Sequence, residues 1–154
     1  MQVVYPPDQE GIKTENKSVF LAGSIEMGVA EDWQTRVLAM LENTRWTVFN
    51  PRRKDWDSSW VQSIKNPKFV EQVYWELEAL ERATYIIMYF DPATKSPISL
   101  LELGLFARTG KLIVVCPDGF WRQGNVDCVC AKYMVLTTRT LEEAVEWVIS
   151  TKRC

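Results

Sequence analysis

Short apolar runs alternate along this chain with segments whose apolar residues recur at helical spacing. Strands are predicted at 18–22, 46–49, 85–90, 112–115 and 132–136. Helices are predicted over about 30–43, around Phe69–Leu80, after Ser96-Pro97 and from Thr140, which forms a capping box with Glu143. Such alternation produces right-handed βαβ crossovers and a parallel sheet covered on both faces. We therefore predict an α/β fold with a flavodoxin-like, doubly wound five-stranded parallel sheet in three α/β/α layers.

The length of 154 residues is typical of one domain. Residues 1–16, with two prolines and a glycine among mostly polar neighbours, are predicted to form an irregular N-terminal arm, and residues 17–154 a single domain. No signal-peptide pattern is visible, and no apolar run approaches the ~18 residues of a membrane span. We therefore expect a cytoplasmic protein that does not bind membranes.

The residue types restrict the chemistry. Histidine is absent, which excludes Ser-His-Asp and Cys-His nucleophiles and histidine metal sites. The net charge of −2 argues against a nucleic-acid polymer as partner. Cys128 and Cys130 make a poor zinc pattern without histidine or a second pair, so we expect reduced thiols, no metal and no cofactor.

Unusual side chains follow several predicted strands. Gly23 and Ser24 come after the first strand, Asn50 and Arg52 after the second, and Asp91 after the third. In doubly wound sheets, ligands bind outside the carboxyl ends of the strands, so we predict that the first four bind substrate. Each also has an ordinary interpretation, as a turn residue or a solvated surface charge.

A single carboxylate interrupts the apolar segment 96–104. Ser96 is the predicted N-cap and Pro97 the first helical residue. Glu102 lies among leucines in a helix that is apolar nearly all round, which indicates burial. Because a buried carboxylate is costly unless it is paired, Glu102 is either held by an internal arginine or is a nucleophile or base facing the cleft. We expect its position near the helix start to help keep it ionised.

Three segments together resemble the nucleoside 2-deoxyribosyltransferase family. They are V-F-L-A-G-S-I at 19–25, Y-W-E-L-E-A-L-E-R-A at 74–83 and S-P-I-S-L-L-E-L-G at 96–104. The resemblance spans about residues 18–118. It implies that the substrates are a nucleoside or nucleotide and a free nucleobase, and that the chain forms a homo-oligomer.

The resemblance also implies a mechanism. Glu102 falls on the family's nucleophile, which attacks C1′ of a 2′-deoxynucleoside and forms a glycosyl ester that a second base or water then opens. Glu76 falls on an acidic residue of the family's site, although its spacing alone is that of a solvated charge. Glu76 or Asp91, the latter chosen only for its strand-end position, is the candidate acid. Ser96 and Ser99 are predicted to bind substrate.

Two departures leave the substrate open. Where the transferases tend to carry aspartate, this chain has Ser96, as do the related 2′-deoxynucleoside 5′-monophosphate N-glycosidases. Those hydrolases bind phosphate with G-S-I-R-G-G, whereas this chain has G-S-I-E-M-G, with Glu26 in place of the arginine. Arg52 or Arg53 is an alternative phosphate contact. A monophosphate hydrolase and a non-catalytic nucleotide-binding or signalling module therefore stand as alternatives.

Aromatic residues in predicted loops are candidates for stacking on a nucleobase, with exposed packing as the alternative. They are Trp56, Trp60 and Trp121.

Overall fold

The computed structural model describes residues 1–26, 30–53 and 55–151. Its strands are β1 (Gln2–Val4), β2 (Ser18–Gly23), β3 (Thr47–Phe49), β4 (Tyr85–Tyr89), β5 (Leu112–Val115) and β6 (Leu136–Thr138). Its helices are α1 (Trp33–Leu41), α2 (Pro67–Arg82), α3 (Pro97–Phe106), α4 (Gln123–Tyr133) and α5 (Leu141–Ser150), and Gly11–Lys13 form a 3-10 turn. The strands pair in parallel in the order β1-β3-β2-β4-β5-β6.

The sheet is covered on both faces. Ile86 and Met88 of β4 join the core beneath α2, α3 and α4, whereas Tyr85 and Ile87 join the core beneath α1 and α5. Successive side chains of a strand point to opposite faces, so a strand buried on both faces must be apolar throughout. The predicted three-layer α/β/α fold is confirmed, with six strands in place of five.

Two of the predicted elements are corrected. β1 lies inside the arm that was predicted to be irregular, and it adds to the sheet by pairing with β3. Its three residues are too few for a periodic signal. The strand predicted at 132–136 is wrong, because α4 continues to Tyr133 and β6 begins at Leu136. α4 escaped prediction because its buried residues are only Val126 and Cys130.

Doubly wound sheets have a crevice where the direction of winding changes, and in this sheet that place lies between β2 and β4. These neighbouring strands are followed by α1 and α3, which pack on opposite faces of the sheet. This is the topological switch point at which doubly wound sheets bind ligands. Gly23 ends β2 there with φ of 131°, and a Cβ at this position would lie 2.2 Å from the carbonyl oxygen of Tyr89. Only glycine permits this close approach of the two strands.

The helix ends follow local chemistry. As predicted, Thr140 caps α5, since its hydroxyl accepts a hydrogen bond from the backbone N–H of Glu143 at 3.2 Å. α2 begins at Asn66-Pro67, where the Asn66 side chain accepts from the N–H of Lys68. In the described parts of the chain, no helix combines the length and the apolar character needed to cross a membrane.

Trp75 ties α2 to the N-terminal segment. Its ring is fully buried, and its indole N–H donates to the carbonyl oxygen of Asp8 at 2.9 Å. We expect Trp75→Phe to lower the free energy of unfolding by about 1–3 kcal/mol, because it leaves a cavity and a carbonyl without its donor. Tyr74→Phe, at an exposed neighbour, should change it by less than about 0.5 kcal/mol. Urea unfolding measures the free energy of unfolding of both variants. Equal effects would contradict the role of Trp75 in joining α2 to the N-terminal segment.

Candidate active site

Glu102 lies on the buried face of α3, below the crevice. That face also carries Ser99, Leu103 and Phe106, while Ile98 and the other leucines of the helix point outward or lie at its side. The side chain of Glu102 is 7% exposed. The helix is therefore apolar on two faces, and this single carboxylate belongs to the inner one.

No arginine among the described residues holds this carboxylate. Among the described residues, Glu102 has neither a hydrogen-bond donor nor a basic partner. Arg52 is bound to Asp32, and Arg53 is bound to Asp55 and to a glutamate of α2. The interpretation of Glu102 as half of an internal ion pair therefore fails within the described structure.

Burial and a like charge act together on Glu102. Burial raises its pKa to about 8, and the charge of Glu76 adds to this increase. Loss of hydration raises the pKa of Glu76 to about 7, against a hydrogen bond from Gln72 that lowers it. The expectation that the helix start keeps Glu102 ionised is wrong, because Glu102 is the sixth residue of α3 and lies beyond the free N–H groups of the first turn.

Glu76 reaches this site from α2. Its Oε1 accepts a hydrogen bond of 2.6 Å from Nε2 of Gln72, which also donates to the carbonyl oxygen of Pro51 at 3.1 Å. Pro51 follows β3, so these contacts join the end of β3 to α2, and the charge interaction of Glu76 with Glu102 brings α3 beside them. Two carboxyl groups that titrate near neutral pH thus form the chemical centre of the site.

Three hydroxyl groups meet at the entrance to α3. The Oγ of Ser24 lies 2.6 Å from that of Ser96 and 2.8 Å from Oγ1 of Thr94, and the latter two lie 2.7 Å apart. Ser24 also accepts from the N–H of Asp91 at 2.9 Å. Ser96 precedes α3 as predicted, but its side chain does not cap the helix. It joins the hydroxyl cluster, and its φ of 45° is left-handed.

Glu26 instead binds the backbone just before α3. Its Oε1 accepts hydrogen bonds from the backbone N–H groups of Lys95, at 3.0 Å, and Ser96, at 2.9 Å. A helix N-terminus attracts anions, and an anion of the chain itself lies beside the N-terminus of α3. Met27 and Gly28, the remainder of the glycine loop, lie outside the described residues.

Residues 16–120, about two thirds of the chain, match the family model described as nucleoside 2-deoxyribosyltransferase like. The chain belongs to this family. The match covers all three segments that carried the resemblance and confirms the suspected family. A search of curated proteins found no match.

Other predicted site residues form hydrogen bonds with the backbone of nearby loops. Both oxygens of Asp91 accept backbone hydrogen bonds, from Glu31 at 2.9 Å and Ala93 at 2.8 Å. Asn50 accepts from the N–H of Arg52 at 3.0 Å. These contacts support a role in holding the loops after β3 and β4.

The guanidinium of Arg52 donates to Asp32 and to Oε1 of Gln34, both at 3.2 Å. It therefore lies against the start of α1. Arg52 as a phosphate contact stays a prediction.

The loop tryptophans separate into two places. Trp56 and Trp60 pack edge to face with ring centres 5.1 Å apart, before α2. Trp121 is half exposed, and its N–H donates to the carbonyl oxygen of Lys95 beside the start of α3.

The described cysteines are free, and the two that are shielded from water, Cys116 and Cys130, are poorly suited to nucleophilic attack. Burial raises the pKa of Cys116 to about 12 and that of Cys130 to about 11, so both stay protonated at neutral pH. Cys128 is exposed, and Cys154 lies outside the described residues.

Sequence reasoning missed Gln72 and Thr94. Gln72 precedes Glu76 by four residues, a spacing that places the two side chains together on a helix, so this pair was detectable. Thr94 gave no such signal, because only the folded loop brings its hydroxyl to Ser24.

The raised pKa of Glu102 makes stability depend on pH. Folding moves this pKa from 4.5 to about 8, so the folded state binds more protons between these values. The stabilising contribution is complete below about pH 4.5 and is lost as the pH rises through about 8. We expect the free energy of unfolding of the parent protein, relative to Glu102→Gln, to fall by at most about 5 kcal/mol over this range.

Urea unfolding at several pH values between about 5 and about 8 measures this difference. Glu81→Gln, an exposed change on α2, is the control and should track the parent protein. If the difference in free energy of unfolding between the parent protein and Glu102→Gln does not vary with pH, the pKa of Glu102 is not raised by folding.

Proposed function

We propose that this chain cleaves the N-glycosidic bond of 2′-deoxynucleosides and transfers the deoxyribosyl group to another nucleobase through an ester on Glu102. One observation carries the proposal: a buried carboxylate without a described donor or cation lies beside a second carboxyl group at the crevice. Membership of the nucleoside 2-deoxyribosyltransferase-like family supports it.

The chemistry follows from the two carboxyl groups. The Glu102 carboxylate attacks C1′ through an oxocarbenium-like transition state, the C1′–N bond breaks, and Glu76 protonates the departing base. A nitrogen of a second base then attacks C1′ and breaks the ester, so the configuration is retained overall. If water opens the ester instead, the enzyme is a hydrolase. Weak solvation of the Glu102 carboxylate favours attack, since it has no hydrogen bond from a described residue that would have to be broken.

Substrate contacts come from the edge of the crevice. Ser99 precedes Glu102 by three residues and shares its helix face, so its buried hydroxyl is placed toward the same ligand. We also propose Gly23 and Ser24 as the floor against which the sugar packs. Asn50, Arg52 and Ser96 shape this edge through the contacts described above.

The charge around α3 favours a neutral nucleoside over a 5′-monophosphate. Glu26 occupies the N–H groups of Lys95 and Ser96. A phosphate there would meet the Glu26 carboxylate, and Glu76 adds further negative charge. Glu26 thus favours a neutral nucleoside, whereas Ser96 is the residue that the monophosphate hydrolases carry.

We also propose that the chain forms a homo-oligomer. Ile98, Leu101 and Leu105 form an apolar stripe on the outer side of α3, each more than half exposed. Exposed apolar stripes of this kind mark contact surfaces, and this one shares its helix with Glu102.

Product analysis tests the reaction. Deoxyadenosine, deoxyinosine and thymidine are incubated with and without a different free base, and the products are separated by chromatography. We expect a new deoxynucleoside from the parent protein, a loss of about 1,000-fold or more in Glu102→Gln, and a loss of about 100-fold in Glu76→Gln. Glu81→Gln is the control for a lost surface charge.

The products separate the alternatives. Free sugar without exchange would indicate a hydrolase. No product that depends on Glu102 from any substrate would contradict the enzyme proposal and favour the binding module.

The substrate preference depends on Glu26. The parent protein should use deoxyadenosine with a kcat/KM at least about 10-fold above that for its 5′-monophosphate, because like charges repel. Glu26→Gln keeps an oxygen for the two N–H groups but removes the charge, so it should shift this ratio about 10-fold toward the monophosphate. Glu10→Gln, at an exposed carboxylate in the 3-10 turn region, is the control. A parent protein that prefers the monophosphate would contradict this choice.

A further inference from the structure

Gln72 is a buried amide between the end of β3 and the carboxyl pair. Gln72 is only 5% exposed. Nε2 donates to the carbonyl oxygen of Pro51 at 3.1 Å and to Oε1 of Glu76 at 2.6 Å, which uses both amide hydrogens. Among the described residues, Oε1 of Gln72 is buried without a hydrogen-bond partner.

These contacts allow only one orientation of the amide. If the amide turned over, its oxygen would face the carbonyl oxygen of Pro51 and the carboxyl group of Glu76, and acceptors would oppose acceptors. The Pro51 carbonyl is an acceptor at every pH, so it holds the NH₂ group toward Glu76. The orphaned Oε1 is the cost of this arrangement, since a buried acceptor without a donor is unfavourable. Gln72 therefore presents a permanent donor to Glu76.

We infer that Gln72 is a positioning residue that holds Glu76 as a carboxylate in the empty site, so that the proton shared by the pair rests on Glu102. A hydrogen bond to the charged form of a carboxyl group favours that form. The role of Gln72 in the reaction rests on the proposed function, whereas the location of the proton rests on the contacts alone.

The surrounding charges do not offset this effect. Glu102 faces Glu76 from α3 and carries the same charge when ionised. On the loop after β3, Arg53 is bound to Asp55 and Glu71. Among the described side chains, the donor that acts on Glu76 is the amide of Gln72.

A proton on Glu102 before substrate binds determines the order of the steps: proton transfer to Glu76 comes before attack on C1′. When substrate binds, the O–H bond of Glu102 breaks and an O–H bond forms on Glu76. Glu102 is then the carboxylate that attacks C1′. Glu76 gives the same proton to the base nitrogen as the electron pair of the C1′–N bond leaves with the base. One proton thus serves both steps, and Glu102 becomes nucleophilic only when the site is filled.

The test is a titration followed by NMR of glutamate side-chain carboxyl carbons, without substrate. Glu76→Gln and Glu102→Gln assign the two signals. In the parent protein, Glu76 should titrate at lower pH than Glu102. Gln72→Met, which keeps the length but removes the donor, should raise the titration midpoint of Glu76 by about one pH unit. Gln62→Met, at an exposed glutamine before α2, should leave it unchanged.

A folded Gln72→Met protein with an unmoved Glu76 midpoint would overturn the inference, as would Glu102 titrating below Glu76 in the parent protein. If Gln72→Met does not fold, Gln72→Glu replaces the donor at nearly constant size and should also raise the midpoint. The lower apparent pKa in the pH profile of kcat/KM should increase together with the titration midpoint of Glu76. A shifted titration in a protein that cleaves no nucleoside would refute the proposed function and support the proton location.

Discussion

The parallel pairing of β2 with β4 is the constraint on which the site depends. Gly23 lets the two strands approach closely, and the loops that follow them then leave toward opposite faces of the sheet. The hydroxyl of Ser24 spans this gap to Thr94 and Ser96, so the start of α3 is fixed to the end of β2. Because Glu102 lies in α3, this connection also fixes the position of Glu102.

The carboxyl pair works against stability. Neither a described cation nor, for Glu102, a described donor compensates for the lost hydration. The two apolar cores on either side of the sheet stabilise the fold independently and offset the cost of burying this pair. Sites in which local rules are broken in this way are where function is expected.

The sequence could predict what depends on neighbours along the chain. The doubly wound sheet follows from continuous apolar runs, and the importance of Glu102 follows from one charge in an apolar helix. β1 was missed because three residues have no period, and its pairing with β3 is decided by contacts 45 residues away. The Glu26 and Thr94 contacts were missed for the same reason, since both join separate loops. The protonation of Glu102 was misjudged because burial by the whole fold outweighs the dipole of one helix.

Ser96 places two demands on one position. Its backbone is left-handed, a conformation that glycine adopts freely and that costs most other residues about 1 kcal/mol or more. Its hydroxyl, however, is bonded to two others, which glycine cannot supply. A residue that relaxed the backbone would lose the contact, and one that kept a hydroxyl on a branched side chain would increase the strain. Serine is the smallest side chain that meets both demands, so few other residues are compatible with the entrance to α3.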